Sequence, residues 1–297
     1  MWESVLDTHG IIFVNFFEPS EMKDLTASIV AYKSPASILA QTIHSFLSAT
    51  QGSKLFLIDN SPTDQLKYLA YDPRITYIYN SRNIGFGAGH NIALRKIINE
   101  SRYHLVLNPD VYFDANVLTS LYSYMEDNPH AGLVMPKVLY PDGRLQPVCK
   151  LLPSPKTLIV RRFLNFLTST LERENYRYEL RLSGYNKIMD APFLSGCFMF
   201  LRAEALRTVG LFDERFFLYT EDTDLSRRIH KHFRTVFFPG VSIYHYHQRG
   251  SYKSALLLWR NILSAVKYFN KWGWAIDEER EHFNSRAVQQ LSLNSPK

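Results

Sequence analysis

Between residues 27 and 110 the sequence alternates short apolar runs with stretches of helical periodicity. The run at 27–32 is typical of a buried strand, and after Pro35 the apolar residues Leu39 and Ile43 recur at helical spacing. Strands that alternate with helices form a mostly parallel sheet with helices on both faces, so the sequence predicts an α/β fold. Further strands are expected at residues 54–58, 75–79 and 104–107.

The length of 297 residues allows one large α/β domain with an appendage. We expect an N-terminal extension over residues 1–25, with an edge strand at 10–17, a main domain over 26–245 and a C-terminal helical segment over 246–297. Hydrophobic residues make up 46% of the chain and charged residues 21%, which argues against long disorder.

The sequence predicts a cytoplasmic protein unless it binds a membrane surface. Its longest apolar run, residues 193–201, falls short of the about 18–20 residues of a spanning helix, and the N-terminal residues lack the basic start of a secretory signal. Cys149 and Cys197, the two cysteines, are too few for a disulfide framework or a cysteine-based zinc site. They fit a reducing compartment.

The formal net charge of +6 is concentrated late in the chain. Residues 249–271 hold five basic residues and no acid, which indicates an anionic partner such as lipid, a diphosphate or nucleic acid, or else a solvated basic face. A nucleic-acid partner would rest on charge alone, because the sequence contains no recognisable nucleic-acid-binding module. We therefore expect no nucleic acid to bind.

A helical pattern over residues 253–270 separates apolar from basic side chains. Trp259 lies on the apolar side, and Lys253, Arg260 and Lys267 lie opposite. Such a helix can lie on an anionic membrane surface. The alternative is a helix that packs on the core by its apolar face and leaves its basic side chains in solvent.

Polar residues follow two of the predicted strands. Asp59 ends one of them, and Asn108 and Asp110 follow another. Because ligands bind at the carboxyl ends of the strands in parallel α/β sheets, these residues predict a binding site. A carboxylate such as Asp110 can hold a hard divalent cation, although Asn-Pro-Asp is also typical of a solvated turn.

A glycine-rich turn with Gly85, Gly87 and Gly89 precedes a helical pattern. It has His90 where the dinucleotide-binding fingerprint requires glycine, so we expect no nicotinamide cofactor. The turn can still bring backbone N–H groups close to a phosphate or a sugar.

Glu221, Asp222 and Asp224 form an acidic cluster at the start of another helical pattern. Acids favour helix N-termini, but three of them exceed what capping requires. Aromatic residues precede the cluster, and a carboxyl group among aromatics can have a raised pKa and act as a general base.

His245 and His247 follow a predicted strand and a Pro-Gly turn. Neutral imidazole is a common metal ligand, so either residue is a candidate for a site that holds a metal and a diphosphate. A zinc site built from histidines lacks the HExxH spacing. The alternative is an ordinary histidine at the edge of the core.

Nine short motifs follow one another along residues 28–251, and their order resembles the family-2 glycosyltransferases with a GT-A fold. Within that family the set is most similar to bacterial rhamnosyltransferases of O-antigen and cell-wall polysaccharide assembly. Each motif alone is weak, whereas the ordered set is specific for the family and not for the sugar. The motifs are SIVAY (28–32), IDN (58–60), NIGFGAGHN (83–91), LNPD (107–110), PDGRLQ (141–146), SGCFM (195–199), GLFD (210–213), YTEDTDL (219–225) and HQRGS (247–251).

The resemblance implies an inverting enzyme with Asp222 as catalytic base and Glu221 beside it, orienting the acceptor. Asp110 would hold Mg²⁺ or Mn²⁺ on the donor diphosphate, because Asn108 and Asp110 stand where the family has its DxD motif. His247 would complete the metal site, with His245 as the competing choice. The implied donor-binding residues are Asp59, at the nucleotide base, Asn83, Gly85, Gly87, Asn108 and Asp110.

The resemblance also implies the substrates. The donor of first choice is dTDP-L-rhamnose, and the acceptor is a saccharide linked to polyprenyl diphosphate. The protein would then be peripheral on the cytoplasmic face of the bacterial inner membrane, in contact through Lys253, Trp259, Arg260 and Lys267. The alternatives are another donor (UDP-galactofuranose, UDP-GlcNAc or UDP-glucose) or a nucleotide-sugar-binding protein without catalysis.

Overall fold

The computed structural model describes residues 4–6, 12–14, 20–22, 24–163, 168–247 and 255–293. The strands are β1 (Ser4–Leu6), β2 (Ile12–Val14), β3 (Ser20–Glu21), β4 (Leu25–Ala31), β5 (Thr50–Gln51), β6 (Lys54–Asp59), β7 (Ile75–Tyr79), β8 (Tyr103–Leu107), β9 (Val111–Tyr112), β10 (Ala131–Leu139), β11 (Cys149–Lys150), β12 (Met189–Asp190), β13 (Phe193–Leu194), β14 (Phe198–Arg202) and β15 (Arg234–His245). The helices are α1 (Ala36–Ala49), α2 (Phe86–Ile97), α3 (Asn116–Asp127), α4 (Pro155–Phe163), α5 (Thr168–Tyr178), α6 (Ala203–Val209), α7 (Glu221–His230), α8 (Ala255–Trp272) and α9 (Glu278–Leu293). Short 3₁₀ helices occur at Lys67–Leu69 and Arg181–Ser183.

The central sheet has the strand order β12-β15-β10-β14-β8-β4-β6-β7, and β9 pairs with β15. Strands β8, β4, β6 and β7 are parallel to one another, as predicted from the alternating pattern. On the other side, β14 runs antiparallel to both β8 and β10. The predicted α/β fold is confirmed, with antiparallel strands joined to its parallel half.

The central strands are mostly apolar because both of their faces are buried. All seven residues of β4 and all five of β8 are buried. Helix α2 packs on β4 and β6, and α3 packs on β10 and β15. A strand covered on both faces needs apolar side chains on both, which removes the alternation expected of a half-exposed strand.

The prediction of an edge strand at residues 10–17 needs correction. Only Ile12–Val14 of this stretch is a described strand, and it pairs with Ser4–Leu6 in a separate two-stranded sheet, not with the central sheet. A partner only a few residues away closes a short loop, which costs less conformational entropy than a long-range pairing.

The C-terminal helices pack against the end of the main domain. Phe216 clusters with Tyr268 and Phe269 of α8, and Arg227 of α7 pairs with Asp277 just before α9. In the part of the chain that the structure describes, no helix is both long enough and apolar enough to cross a membrane. The domain boundaries at residues 25 and 245 stay predictions.

Candidate active site

The end of β8 places Asn108 and Asp110 beside His245 of β15. Strand β9 pairs with β15, and His245 Nε2 lies 3.3 Å from Asp110 Oδ1 and 3.4 Å from Asn108 Nδ2. Burial lowers the pKa of His245, but hydrogen bonds with Asp110 and the Cys197 side chain outweigh burial and raise the pKa to about 10. His245 is therefore the histidine that contacts Asp110.

His247 is exposed, and its ring centroid lies 5.2 Å from that of His245. The structure thus brings the competing choice, His245, into contact with Asp110. The metal role of His247 stays a prediction.

Gln146 fixes the orientation of His245. Its Oε1 lies 3.0 Å from His245 Nδ1, and its Nε2 donates to the backbone oxygen of His245 at 2.6 Å. An amide oxygen can only accept, so Nδ1 of His245 carries the proton in this contact. Sequence reasoning gave Gln146 no role, although it belongs to the PDGRLQ motif.

A cavity of about 250 Å³ opens beside Asp110, between the ends of β4 and β8. Its lining includes Tyr32, Lys33 and Pro35, which follow β4, and Asn108 and Asp110, which follow β8. These strands are neighbours in the sheet, so the cavity lies at the carboxyl ends of two parallel strands. Asp59 is not among the residues that line it, and ligand binding at this edge stays a prediction.

The residues at Asp110 fit a cation only if substrate supplies further ligands. Within the described residues, no three His, Cys, Asp or Glu side chains converge in the way a protein-only metal site requires. The Asp110 side chain keeps 16% of its surface exposed, and one of its oxygens contacts His245. Mg²⁺ commonly binds through one or two carboxylates together with substrate phosphates, which matches this arrangement.

Asp59 orders the end of β6. It is fully buried, and its carboxylate accepts hydrogen bonds from Tyr77 Oη (2.7 Å) and Ser61 N (2.9 Å). Burial and the hydrogen bond to Asp59 raise the pKa of Tyr77. Both oxygens of Asp59 already have protein donors, so its contact with a nucleotide base stays a prediction.

The glycine turn packs tightly on the segment that leads into α7. Gly85 has φ +99°, and a Cβ there would lie 2.4 Å from Phe217 O. Gly85 N donates to Asn83 Oδ1 at 3.0 Å, and Phe86 N donates to Phe217 O at 3.0 Å. A Cβ at Gly87 would lie 2.8 Å from the Phe212 side chain. The two glycines thus allow close packing within the protein, and their predicted contact with the donor is untested.

Asp222 lies in the first turn of α7 and is partly exposed. Gly196 N donates to its Oδ2 at 2.9 Å, and Thr223 N donates to its Oδ1 at 2.8 Å. Burial raises the pKa of Asp222, whereas the Gly196 N–H and the Lys150 ammonium partly offset the rise. An accessible carboxylate with a moderately raised pKa suits a general base.

Glu221, the neighbour of Asp222, is in a different environment. It is only 4% exposed, and its Oε2 has no hydrogen-bond partner among the described residues. Burial and the charge of Asp222 raise the pKa of Glu221 well above its usual range. Glu221 is therefore the weaker candidate base and is suited to donate a hydrogen bond as a neutral acid.

Asp110 and Asp222 are joined through one short segment at the start of β14. Asn108 N donates to Cys197 O at 2.9 Å, and the adjacent Gly196 N donates to Asp222. The backbone of residues 196–197 thus bonds both Asn108, two residues before Asp110, and the Asp222 carboxylate. A shared site for Asp110 and Asp222 stays a prediction.

Helix α8 packs on the main domain with Phe269, from its predicted apolar side, and with basic side chains as well. The Arg260 guanidinium lies 3.9 Å from the Phe217 ring centroid, Lys267 Nζ donates to Arg215 O at 2.7 Å, and Lys271 Nζ lies 2.6 Å from Asp224. These three basic side chains contact the main domain, because its carboxylates, carbonyls and aromatic rings lie on that side. Lys253 lies outside the described residues.

Helix α8 exposes several apolar side chains. Leu256 and Trp259 expose 59% and 58% of their surface, and Leu263 exposes 39%. Lys267 is exposed as well, so the helix presents both apolar and basic side chains to its surroundings. The membrane and acceptor roles expected of Trp259, Arg260 and Lys267 are not tested by this placement.

Comparison with known proteins decides the family. The model of glycosyl transferase family 2 matches residues 26–210, more than half of the chain. The chain belongs to glycosyltransferase family 2. The predicted family and the predicted enzyme class, a glycosyltransferase, are confirmed.

One relative of this family-2 glycosyltransferase is the N-acetylglucosaminyl-diphospho-decaprenol L-rhamnosyltransferase of Mycobacterium tuberculosis. It is 26% identical over 243 residues, which cover 76% of this chain and 77% of the relative. The predicted similarity to rhamnosyltransferases is therefore confirmed.

Two solved structures share the fold. GalNAc-T7 with UDP, GalNAc and Mn²⁺ has a TM-score of 0.58 at 15% identity, over 91% of this chain and 56% of that one. The mannosyltransferase PcManGT of Pyrobaculum calidifontis with GDP-Man and Mn²⁺ has a TM-score of 0.55 at 13% identity, over 100% and 80% of the two chains. Both are glycosyltransferases, and the predicted GT-A fold is confirmed.

Proposed function

We propose that this glycosyltransferase transfers a sugar with inversion to a saccharide linked to polyprenyl diphosphate, in bacterial surface polysaccharide (O-antigen) synthesis. The donor of first choice is dTDP-L-rhamnose. The observation that carries the proposal is that the backbone of residues 196–197 bonds both Asn108, two residues before Asp110, and the Asp222 carboxylate, with a cavity beside Asp110. The name of the mycobacterial relative supports the choice of donor and acceptor.

Asp222 is the general base of the proposed reaction. It removes the proton of an acceptor hydroxyl while that oxygen attacks the anomeric carbon of the donor. The bond from this carbon to the diphosphate breaks in the same displacement, so the configuration inverts and no covalent enzyme intermediate forms. Protonated Glu221 cannot compete as a base and is free to hydrogen-bond the acceptor.

Asp110 is the proposed ligand of Mg²⁺ or Mn²⁺, shared with the donor diphosphate. Such a cation stabilises the negative charge of a departing nucleoside diphosphate. His245 and Gln146 hold the Asp110 carboxylate in place through the contacts described above. Asn108, adjacent to the cavity, contributes an uncharged amide at the first position of the motif.

We also propose a peripheral position on the cytoplasmic face of the membrane. The exposed side chains of Leu256, Trp259 and Leu263 support contact with the interfacial region of a bilayer, where tryptophan is favoured. Arg260 and Lys267 already contact the protein, so apolar insertion contributes more than the expected electrostatic attraction.

A panel of nucleotide sugars, tested with a lipid-diphosphate saccharide as acceptor and with or without EDTA, tests the function. We expect transfer from dTDP-L-rhamnose, loss of transfer with EDTA and recovery with Mg²⁺ or Mn²⁺. Product with the same anomeric configuration as the donor would contradict the inverting mechanism. Transfer from another nucleotide sugar alone would replace the donor and leave the mechanism intact.

A further inference from the structure

A group of basic residues next to Asp222 has too few acidic partners. We call Lys150, Arg161 and Arg181 the basic cluster. Glu179 is shared by two of them: its Oε1 lies 2.8 Å from Arg161 Nη2, and its Oε2 lies 2.6 Å from Arg181 Nη2. One carboxylate thus pairs with two guanidinium groups, and Lys150 forms no ion pair within this group.

Lys150 lies beside the base. Strand β11 pairs with β13, with Lys150 opposite Phe193, and two residues after β13 Gly196 donates its N–H to Asp222. Burial raises the pKa of Asp222 and lowers that of Lys150, and the attraction between the two charges partly offsets both shifts. The two charges are therefore close enough to influence each other.

Lys150 has no carboxylate partner within salt-bridge distance in the described parts of the chain. Its ammonium lies 5.3 Å from the Phe193 ring centroid, and the residue is half-buried. Burial, followed by repulsion from Arg161, lowers the pKa of Lys150. A partly desolvated ammonium without a counterion is unfavourable, and an anionic ligand would relieve that cost.

The number of basic groups compared with the number of paired carboxylates also favours an anionic ligand. Among the described residues, Glu179 is the carboxylate that forms ion pairs with the basic cluster, and burial and the charge of Asp222 raise the pKa of Glu221 well above its usual range. The cluster therefore has three basic groups and one ion-paired carboxylate. The segment from Gln146 to Lys150 connects the contacts of His245 and Asp110 to the basic cluster.

We propose that the basic cluster, with Lys150 as its main contact, binds the phosphate group of the acceptor. This inference rests on the proposed function. A diphosphate on the anomeric carbon of the accepting sugar lies one sugar ring away from the hydroxyl that Asp222 deprotonates. Lys150 lies on the strand beside the segment that bonds Asp222, while the donor diphosphate is assigned to Asp110.

The test compares Lys150→Met with Lys150→Arg and with Lys96→Met, a control at an exposed position of α2. Two acceptors are used, one with the saccharide on a lipid diphosphate and one with the same saccharide on an uncharged alkyl chain. Donor hydrolysis without acceptor is measured in parallel. Melting temperatures confirm that each variant is folded.

We expect Lys150→Met to raise the KM for the diphosphate acceptor at least about tenfold more than the KM for the alkyl acceptor. A change in the pKa of Asp222 alters kcat with both acceptors alike, so the ratio of the two KM values isolates the phosphate contact. Lys150→Arg keeps most of the affinity, and Lys96→Met behaves as the wild type. Inorganic pyrophosphate competes with the diphosphate acceptor in the wild type and less in Lys150→Met.

Two results would overturn the inference. Equal losses with both acceptors, together with weaker donor binding, would assign Lys150 to the donor phosphates. Unchanged kinetics in Lys150→Met would remove the cluster from substrate binding. Failure of the proposed function is a separate result, because neither donor hydrolysis nor transfer would then occur in the wild type.

Discussion

At the scale of single residues, neighbouring carboxyl groups acquire different properties from their surroundings. Asp222 accepts backbone hydrogen bonds from Gly196 and Thr223 and remains accessible, whereas Glu221 is buried with an oxygen that has no partner in the described chain. Sequence position cannot separate the two, because both begin the same helix. The hydrogen bonds and burial assign the base to Asp222 and the neutral acid to Glu221.

The assignment of the base predicts a kinetic difference between the two carboxyl groups. Asp222→Asn lowers kcat by about 10²- to 10⁴-fold, the usual worth of a positioned base, and leaves the Kd of the donor unchanged. In the wild type, kcat/KM rises with pH, with a midpoint above the ordinary aspartate pKa of about 3.9. Glu221→Gln keeps that rise. A pH profile that loses its rise in Glu221→Gln would exchange the two roles.

The raised pKa of Glu221 also predicts a stability effect. A carboxyl group whose pKa is higher in the folded than in the unfolded state contributes stability below its unfolded pKa and loses it as the pH rises through the folded pKa. We expect the free energy of unfolding of Glu221→Gln to fall less than that of the wild type between pH 6 and pH 9. Denaturant titrations at both pH values measure this, and parallel curves would contradict it.

Two glycines with positive φ, Gly85 and Gly143, should lose different amounts of stability when they are replaced by alanine. Gly85 has φ +99° and Phe217 O within 2.4 Å of a built Cβ, whereas Gly143 has φ +82° and nothing within 4 Å. Gly143→Ala should cost about 1 kcal/mol of backbone strain. Gly85→Ala adds the clash, about 1–3 kcal/mol more. Equal losses of melting temperature would show that the contact with Phe217 adjusts freely.

At the scale of elements, the C-terminal helices hold the helix that carries the base. The Arg227 side chain of α7 is 2% exposed and its guanidinium pairs with both oxygens of Asp277, at 2.6 and 2.7 Å. Lys271 of α8 lies 2.6 Å from Asp224, one turn or less from Asp222. The orientation of α7 therefore depends on residues outside the segment that the family model matches.

A buried ion pair predicts a large loss when one partner is removed. Asp277→Asn leaves the Arg227 charge without its main partner and should lower the free energy of unfolding by about 3 kcal/mol. The matched control is Asp142→Asn, which removes an exposed pair with Arg144 and should leave the melting temperature unchanged. Similar melting temperatures for the two variants would contradict a clamping role of Asp277.

At the scale of the whole molecule, long-range pairing brings the separate motifs into one cleft. The pairing of β8 with β14 sets Asn108 against Cys197, and the pairing of β9 with β15 sets Asp110 against His245. The same packing leaves Leu256, Trp259 and Leu263 of α8 on the surface and bonds Lys267 and Lys271 to the main domain. The molecule therefore combines a polar cleft with an exposed apolar helix face.

The exposed face of α8 predicts membrane binding that depends on apolar side chains. Replacing Leu256 and Trp259 together by Ser should reduce the fraction bound to lipid vesicles, with little change on raising the salt concentration. Tyr71→Ser is the control, because Tyr71 is an aromatic residue that is 62% exposed on the main domain. Binding that is abolished by salt and insensitive to the double substitution would favour electrostatic attraction instead.

The sequence alone determined the strands and helices of the parallel half, the family and the candidate carboxylates Asp110 and Asp222. These follow from local periodicity, from residues at strand ends and from motifs in a fixed order, all of which can be read over short distances. Only the tertiary structure decided that His245 contacts Asp110, that Lys150 lies on the strand beside the segment that bonds Asp222, and that Lys267 and Lys271 of α8 bond the main domain. These facts depend on contacts between residues far apart in the chain, such as Gln146 and His245, which local patterns do not encode.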